Sequence, residues 1–332
     1  MSETSGAVKC QLPAGRLLVA SPERIDDACF SIPAVRSLAV VEGVERVYVL
    51  CRDQQRSLWR TVPGVEVFGY RKGSGVRAIR AEIETEEIGF SSALVWEKSQ
   101  AAQAIRKAKI APRFGPALDR LSAELTMPVE LGQRPGPIRH RVRDFLLLVK
   151  ALGAKPFAAE YFEPVDLGVE VPPDSLALVP DSDFGPSYLW RLERWIETAR
   201  RAAEILGRPV TVIDRGDGPQ AAKLAEALGE LAVLEETDTM ADDLYLLARH
   251  RIVLCVDGGI SHLASHVGST CIVLFGPAEP AWKRPLGKRH RVLRRHVACS
   301  PCLHPVCPLD RRCMDAISAD SAVSAIEFLL QS

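Results

Sequence analysis

The stretch Ile252–Pro280, IVLCVDGGISHLASHVGSTCIVLFGPAEP, decides the fold. It predicts a short apolar strand at Ile252–Val256, a helix at Ile260–Val267 that Gly268 ends, and a second apolar strand at Thr270–Phe275. Two buried strands joined by one helix form a βαβ unit, which belongs to a parallel sheet. We therefore predict an α/β fold built on parallel sheets.

The turn between the first of these strands and the helix, Asp257-Gly258-Gly259, is a candidate anion site. Backbone N–H groups at the start of a helix have no partner within it, and the helix dipole adds about half a positive charge there. The glycines let a bulky anion approach this backbone closely, and His262 can add a donor. The turn suits a phosphate or diphosphate, although an ordinary strand-to-helix connection would account for its glycines equally well.

Composition places the chain among globular proteins. Its 332 residues are enough for two domains with full cores, and 47% of them are hydrophobic and 25% charged. Lysine plus arginine and aspartate plus glutamate both number 42, so charge gives no argument for nucleic acid. No apolar stretch reaches the ~18 residues of a membrane span.

Five of the nine cysteines are scattered and mostly lie in apolar runs. Such cysteines are typical of small buried hydrophobic residues in a reducing compartment. We therefore expect a cytoplasmic protein in which these five thiols are buried; they are Cys10, Cys29, Cys51, Cys255 and Cys271.

Apolar strands and helical segments alternate along both halves of the chain, which predicts doubly wound α/β domains. The segment Glu163–Asp174 is rich in proline and acidic residues and breaks the periodicity, so we interpret it as the interdomain linker. The predicted strands outside the central stretch are Gly15–Ser21, Val47–Cys51, Val65–Phe68, Ala93–Trp96, Leu176–Val179 and Thr211–Asp214. The clearest predicted helices are 28–41, 99–107, 219–228, 240–250 and 320–330.

The central stretch resembles the donor-site signature of glycosyltransferase family 9, the lipopolysaccharide heptosyltransferases. The matching residues are Asp257-Gly258-Gly259, His262, Leu263-Ala264 and Phe275-Gly276-Pro277. The segment Pro180–Trp190, PDSDFGPSYLW, is similar to the corresponding pattern of heptosyltransferase II. The resemblance implies the GT-B architecture, with two Rossmann-like domains facing a central cleft. It places an acceptor-side domain at 1–165 and a donor domain at 172–317, and it implies that the C-terminal helix, 318–332, packs back on the first domain.

The implied reaction is the inverting transfer of a heptose-type sugar from ADP-heptose to a lipopolysaccharide core or related glycolipid. The resemblance implies a nucleotide-sugar donor and no required metal. The basic residues of the chain suggest peripheral contact with the cytoplasmic face of the inner membrane. A basic tract after Pro280 fits such contact, because each basic residue near an anionic bilayer contributes about 1 kcal/mol of attraction. A solvated loop and strand edge would account for the same tract.

The resemblance also implies roles for individual residues. Asp27 falls on the aspartate proposed in the family as general base, and a carboxylate there could equally cap the helix that follows. The implied donor-binding residues are Tyr188, Asp217, Asp257, Gly258, Gly259 and His262. The implied acceptor-binding residues are Arg113, His140 and Arg143, in a region whose charges are also typical of a solvated helix face.

Three residues depart from the family pattern: Asp26 replaces a glycine, Tyr188 a lysine, and Gly258 a serine or threonine. The family's lysine is expected to neutralise the donor diphosphate, and a tyrosine brings no charge. Arg191 or Arg194 could compensate from the next helix. These departures keep two alternatives open. One is a catalytically impaired member that acts as a nucleotide-binding or scaffold protein, and the other is a transferase with a different donor.

Four cysteines fall within fifteen residues near the C-terminus, with two, four and five residues between successive members. This count and closeness are typical of zinc or iron–sulfur sites, although the spacing is less regular than two CxxC knuckles. A structural zinc site is therefore one hypothesis, and packing cysteines are the other. The residues are Cys299, Cys302, Cys307 and Cys313.

Overall fold

The computed structural model describes residues 11–85, 87–132, 137–216 and 218–332. The chain divides into two compact units, Met1–Phe162 and Glu163–Ser332. The division falls at the first residue of the segment that the sequence predicts as the linker. Each unit carries one parallel sheet of six strands, so the predicted α/β class with two doubly wound domains is confirmed.

The first unit contains a sheet with the strand order β3-β2-β1-β4-β5-β6, in which all neighbours run parallel. Its strands are β1 (Gly15–Ala20), β2 (Val44–Arg52), β3 (Val65–Tyr70), β4 (Ser92–Leu94), β5 (Arg113–Pro116) and β6 (Met127–Val129). Its helices are α1 (Ile25–Leu38), α2 (Arg56–Arg60), α3 (Val76–Thr85), α4 (Gln100–Lys107) and α5 (Val142–Ala151). Helix α1 packs against α5, and α3 packs against α4.

Helix α1 begins three residues earlier than the sequence predicts. Its N-cap residue is Arg24, which makes no side-chain capping bond, and Asp26 and Asp27 lie inside the first helical turn. The interpretation of either aspartate as the cap is therefore wrong. The structure instead places both carboxylates where the positive end of the helix dipole stabilises them.

The second unit contains a sheet with the strand order β12-β11-β10-β7-β8-β9, again all parallel. Its strands are β7 (Leu176–Val179), β8 (Val210–Asp214), β9 (Ala232–Glu236), β10 (Ile252–Val256), β11 (Thr270–Phe275) and β12 (Arg291–Arg294). Its helices are α6 (Leu192–Leu206), α7 (Gln220–Leu228), α8 (Met240–Ala248), α9 (Gly259–His266), α10 (Pro280–Lys283), α11 (Arg312–Asp315) and α12 (Ala319–Leu330).

The order of the second sheet reverses between β7 and β10. Strands β8 and β9 extend the sheet on one side of β7, and β10, β11 and β12 extend it on the other. In an open α/β sheet, ligands bind in the crevice at the carboxyl ends of the strands where this reversal occurs. The central stretch supplies β10, α9 and β11, so its turn lies at this point, and the strands of that stretch have the predicted bounds.

The last helix, which the resemblance predicts to pack back on the first domain, lies in the second unit. Helix α12 packs on α6, and its apolar residues join the core of the second unit. Trp190 donates its indole N–H to the carbonyl of Ile317 at 3.0 Å, just before the helix begins. The N-cap Ser318 accepts from Ser321 N–H. The face of α6 that carries Trp195 is apolar and needs cover, and α12 provides it.

Four of the five scattered cysteines are buried free thiols, as predicted: Cys29, Cys51, Cys255 and Cys271. Burial raises the pKa of Cys51 to about 12, so this thiol stays protonated near neutral pH. Cys10 lies outside the described residues. Within the described ranges, no helix has both the length and the apolar character needed to cross a membrane.

Candidate functional site

The carboxyl end of β10 carries the turn that the sequence singles out. Asp257 is fully buried, and its N–H donates to Leu274 O at 3.1 Å, which ties the turn to the end of β11. Gly258 is the N-cap of α9, and Gly259 is its first residue. His262 lies one turn into the helix and is 3% exposed. The predicted anion site thus consists of the backbone at the start of an eight-residue helix, at the crevice of the sheet.

The loop after β7 approaches two helix starts through two carboxylates that the sequence analysis did not connect. Asp181 accepts from the backbone N–H groups of Gln220 and Ala221, at 3.1 and 2.8 Å, and so caps α7. Ser182 donates its hydroxyl to Asp257 O at 3.1 Å, which joins the loop to the β10 turn. The start of α7 therefore offsets the negative charge of Asp181.

Asp183 occupies the start of α9 itself. Its Oδ1 accepts from Gly259 N–H at 3.2 Å. A Cβ placed on Gly258 would lie 2.7 Å from the same oxygen, too close for both to keep their positions. This contact accounts for Gly258 where the family has a serine or threonine. A carboxylate thus binds one of the N–H groups at which a donor diphosphate would bind.

Tyr188 lies buried beside the same loop, at 5% exposure. Its ring meets the ring of Phe184 edge-on, with the centroids 5.3 Å apart. The two arginines expected to compensate for the missing lysine pair with acidic groups of this unit. Arg191 bonds Asp315 at 2.5 Å, and Arg194 lies 3.9 Å from Glu197.

A buried polar network lies at the carboxyl ends of β8 and β9. Arg215 Nε donates to both carboxylate oxygens of Asp243, at 3.2 and 3.1 Å, and Thr237 Oγ1 donates to the same carboxylate at 2.8 Å. The predicted ribose residue, Asp217, lies outside the described residues. Its neighbour Gly216 donates its N–H to Asp214 Oδ1 at 2.9 Å, so the chain turns sharply after β8.

The cysteine-rich segment braces two of these loops. Ser300 donates its hydroxyl to Gly276 O at 2.7 Å, and Cys302 N–H donates to Pro277 O at 2.9 Å. Pro305 O accepts from Ser187 N–H at 3.0 Å, which reaches the loop after β7. A Cβ on Gly276 would lie 2.4 Å from Met314 Sδ and 3.2 Å from Cys313 Sγ, so the Met314 side chain would have to move for any other residue.

The four C-terminal cysteines, Cys299, Cys302, Cys307 and Cys313, are free thiols around one small cavity. Among the residues that the structure describes, no group of three or more histidine, cysteine or acidic side chains is placed to hold a metal ion. The hypothesis of a structural zinc site therefore finds no ligand set here. The packing interpretation agrees with the contacts, since burial raises the pKa of Cys313 and this thiol abuts Gly276.

In the first unit, Asp27 lies at the start of α1, 7% exposed. Arg141 donates through Nε to Asp27 Oδ1 at 2.9 Å and through Nη1 to Asp144 at 2.9 Å. Arg24 donates two hydrogen bonds to the carboxylate of Asp26, at 3.0 and 3.1 Å. Asp27 is thus bound by Arg141, the N-cap residue of α5.

Glu97 is a carboxylate of this unit that the sequence analysis missed. It accepts from Glu23 N–H at 2.8 Å, and burial raises its pKa, with smaller contributions from the charges of Asp27 and Glu23. Together with Arg141 it lines a cavity of about 670 Å³. A carboxyl whose pKa is raised by burial in a cavity is a candidate functional group. A lone glutamate after a strand gives no such signal in the sequence.

The predicted acceptor residues do not gather in this cavity as a set. Arg143 lines it, together with Arg120, Arg139 and Arg141. Arg113 instead donates to the carbonyls of Glu124 and Ile110, at 2.7 Å each, and so braces the chain around β5. His140 accepts from Val142 N–H at 3.3 Å and packs edge-on against Phe30.

Two α/β units, each with a parallel six-stranded sheet, and a helix start at the reversal of the second sheet are the architecture of the GT-B fold. Residues 174–312 match the model of glycosyltransferase family 9 (heptosyltransferase). This match lies within the second unit, so that unit is similar to glycosyltransferase family 9.

Several known proteins are similar to this chain. Lipopolysaccharide heptosyltransferase 1 of Pseudomonas aeruginosa is 30% identical over 141 residues, which is 38% of this chain and 39% of that protein. The chain therefore matches well under half of that curated relative. The structure of E. coli ADP-heptose lps heptosyltransferase II has a TM-score of 0.74 at 18% identity, covering 95% of this chain and 98% of that one. A family 9 glycosyl transferase from Veillonella parvula has a TM-score of 0.81 at 13% identity, covering 98% of this chain and 99% of that one. These structural likenesses establish the shared fold.

Proposed function

We propose that the chain transfers a heptose-type sugar from ADP-heptose to a lipopolysaccharide core or a related glycolipid, with inversion. The observation that carries this proposal is the start of α9 at the reversal of the second sheet, in a segment that matches the family model. A similar structure is named as an ADP-heptose heptosyltransferase, and this suggests the donor. We place the enzyme in the cytoplasm, with peripheral contact at the inner membrane.

The chemistry assigns a role to each unit. The oxygen of the acceptor hydroxyl attacks the anomeric carbon of the donor sugar, and the carboxylate of Asp27 takes the proton of that hydroxyl. The bond between that carbon and the diphosphate breaks, and the electron pair leaves with the diphosphate. Backbone N–H groups at Gly258 and Gly259, with His262, stabilise this leaving group because the start of α9 is positively polarised. Asp217 binds the ribose of the donor.

The pairing of Asp27 with Arg141 bears on its role as a base. Arg141 Nε lies 2.9 Å from Asp27 Oδ1, so the guanidinium group positions the carboxylate of the proposed base. The same bond fixes the direction in which the carboxylate points. Asp144 holds Arg141 from the other side, so removal of Asp144 is expected to disturb the base less than removal of Arg141 does.

The donor assignment is tested by calorimetric titration of the purified chain with ADP, UDP and GDP. We expect selective binding of ADP, with loss of that selectivity in Asp217→Ala. Tighter binding of UDP or GDP would keep the transferase and change the donor. Absence of binding to all three would contradict the proposal and favour the scaffold alternative.

The alternative of an impaired member has one observation in its favour. Asp183 binds Gly259 N–H, so a negative group already lies where the donor diphosphate is proposed to bind. For an active enzyme, this carboxylate must give way when the donor arrives. Tyr188, which carries no charge, adds to the difficulty of binding an anion there.

Removal of the Asp183 carboxylate is therefore expected to tighten ADP binding. In Asp183→Ala, we expect the dissociation constant to fall about fivefold, because the competing anion at the helix start is gone. The measurement is the same calorimetric titration. Asp181→Ala is the matched control, since that carboxylate caps α7, and no tightening is expected there. Weaker ADP binding by Asp183→Ala would mean that Asp183 supports the donor site.

A further inference from the structure

The proposed donor site needs more positive charge than its loops supply. A nucleoside diphosphate is an anion, and further negative charge develops on it as the sugar bond breaks. The start of α9 offers about half a unit of positive charge. Tyr188 offers a hydroxyl group only, and Arg191 and Arg194 pair with acidic side chains. A cation from another part of the unit would add to this positive charge.

Lys283 has the properties of such a cation. It is the one lysine or arginine that is buried in the described part of the chain, with 8% exposure. Its Nζ lies 5.4 Å from the ring centroid of Phe184 and 5.0 Å from that of Trp282. Both distances fall within the range of about 6 Å at which an aromatic face stabilises a cation. The two rings thus offset part of the cost of burying the ammonium group.

The contact between Lys283 and Phe184 places this ammonium group near the start of α9. Phe184 belongs to the loop after β7, and Lys283 ends the short helix after β11. Strand β10 lies between β7 and β11 in the sheet, so a contact between those two segments crosses the carboxyl end of β10. That end carries the turn to Gly259. Phe184 also directly follows Asp183, the residue bound to Gly259 N–H.

Tyr188 and Lys283 lie against the same aromatic ring. The Tyr188 ring is 5.3 Å from the Phe184 centroid, and the Lys283 ammonium is 5.4 Å from it. The helix that carries Lys283 is held firmly, because Glu279 caps it through Ala281 N–H and binds Arg294 of β12 at 2.8 Å. Tyr188, at the position where the family has a lysine, and Lys283 therefore contact the same ring, that of Phe184.

We propose that Lys283 supplies the positive charge that binds the diphosphate of the donor, in place of the lysine that the family has at position 188. This assignment rests on the function proposed above. It adds the residue whose charge binds the diphosphate of the donor. It makes Tyr188 an adaptation of the site, since the charge is provided from the segment after β11.

The test compares the binding of ADP with that of adenosine, which lacks the diphosphate. In Lys283→Gln, we expect ADP to bind about tenfold or more weakly, because a charge-assisted contact is lost, while adenosine binding is unchanged. Lys288→Gln is the matched control, an exposed lysine of the same basic tract, and both ligands should bind it as they bind the natural chain. Thermal unfolding of each variant shows whether the fold is retained.

A second variant separates charge from packing. Tyr188→Lys, introduced into Lys283→Gln, is expected to restore ADP binding to within about threefold, because the charge returns to the other side of Phe184. Equal loss of ADP and adenosine binding, or no recovery in the double variant, would show that Lys283 only packs. Unchanged ADP affinity in Lys283→Gln would overturn the assignment while leaving the donor site intact. A natural chain that binds no nucleoside diphosphate would instead reject the proposed function.

Discussion

Replacement of Asp27 by asparagine is expected to lower the rate of sugar transfer about a hundredfold to ten-thousandfold, which is the usual contribution of a general base. The amide keeps the shape of the side chain but takes no proton. Binding of ADP, which uses the second unit, should not change. The measurement is the transfer rate with ADP-heptose and a lipopolysaccharide core acceptor, at saturating concentrations of both.

Two neighbours of Asp27 make the result specific. Asp144→Asn removes the other carboxylate that binds Arg141. The Asp144 side chain is largely exposed, so this change should lower the rate only slightly. Glu97→Gln removes the carboxyl whose pKa burial raises. If Glu97→Gln abolishes transfer and Asp27→Asn does not, the base is Glu97 and the role assigned to Asp27 is wrong.

Replacement of Trp190 by alanine is expected to destabilise the second unit by about 3–5 kcal/mol, the usual cost of emptying a large buried aromatic site. Trp190 is 1% exposed, its ring packs edge-on against Trp195 at 5.3 Å, and its N–H binds Ile317 O. The substitution leaves a cavity between α6 and α12 and an unpaired carbonyl. The measurement is guanidinium unfolding followed by circular dichroism.

The matched variant for this prediction is Trp190→Phe. It keeps most of the apolar contact and loses the hydrogen bond to Ile317, so a smaller loss of about 1–2 kcal/mol is expected. An exposed position provides the baseline: Val306→Ala, at 68% exposure, should change stability by less than about 0.5 kcal/mol. A loss below about 1 kcal/mol in Trp190→Ala would mean that α12 does not depend on this contact.

The parts of the fold that the sequence predicts well are those set by local pattern. Strands β7, β10 and β11 have the predicted bounds because each is a short run of buried apolar residues between clear breaks. Strands β5 and β6 gave no such signal, since each is short and includes a proline or a partly exposed face. The start of α1 was misplaced because two adjacent aspartates are typical of a helix cap, and here they lie inside the first turn.

The candidate site is harder to predict because its members come from separate loops. The turn at Gly258 can be read from sequence as a helix start for an anion. Asp183 and Lys283 cannot, since their positions depend on the order of β11, β10 and β7 in the sheet. The packing of α12 on α6 was not predicted either, because it depends on the apolar face of a helix more than a hundred residues away along the chain.

The position of α12 has a consequence for the gene. Because this helix completes the core of the second unit, residues 163–332 form an unbroken segment that holds every residue of that core. The core of the first unit is likewise encoded entirely upstream. A single junction near Glu163 thus separates the coding sequences of the two units. Recombination at that point exchanges the whole second unit between relatives and leaves both hydrophobic cores undivided. If the last helix belonged to the first unit, the same exchange would divide a core.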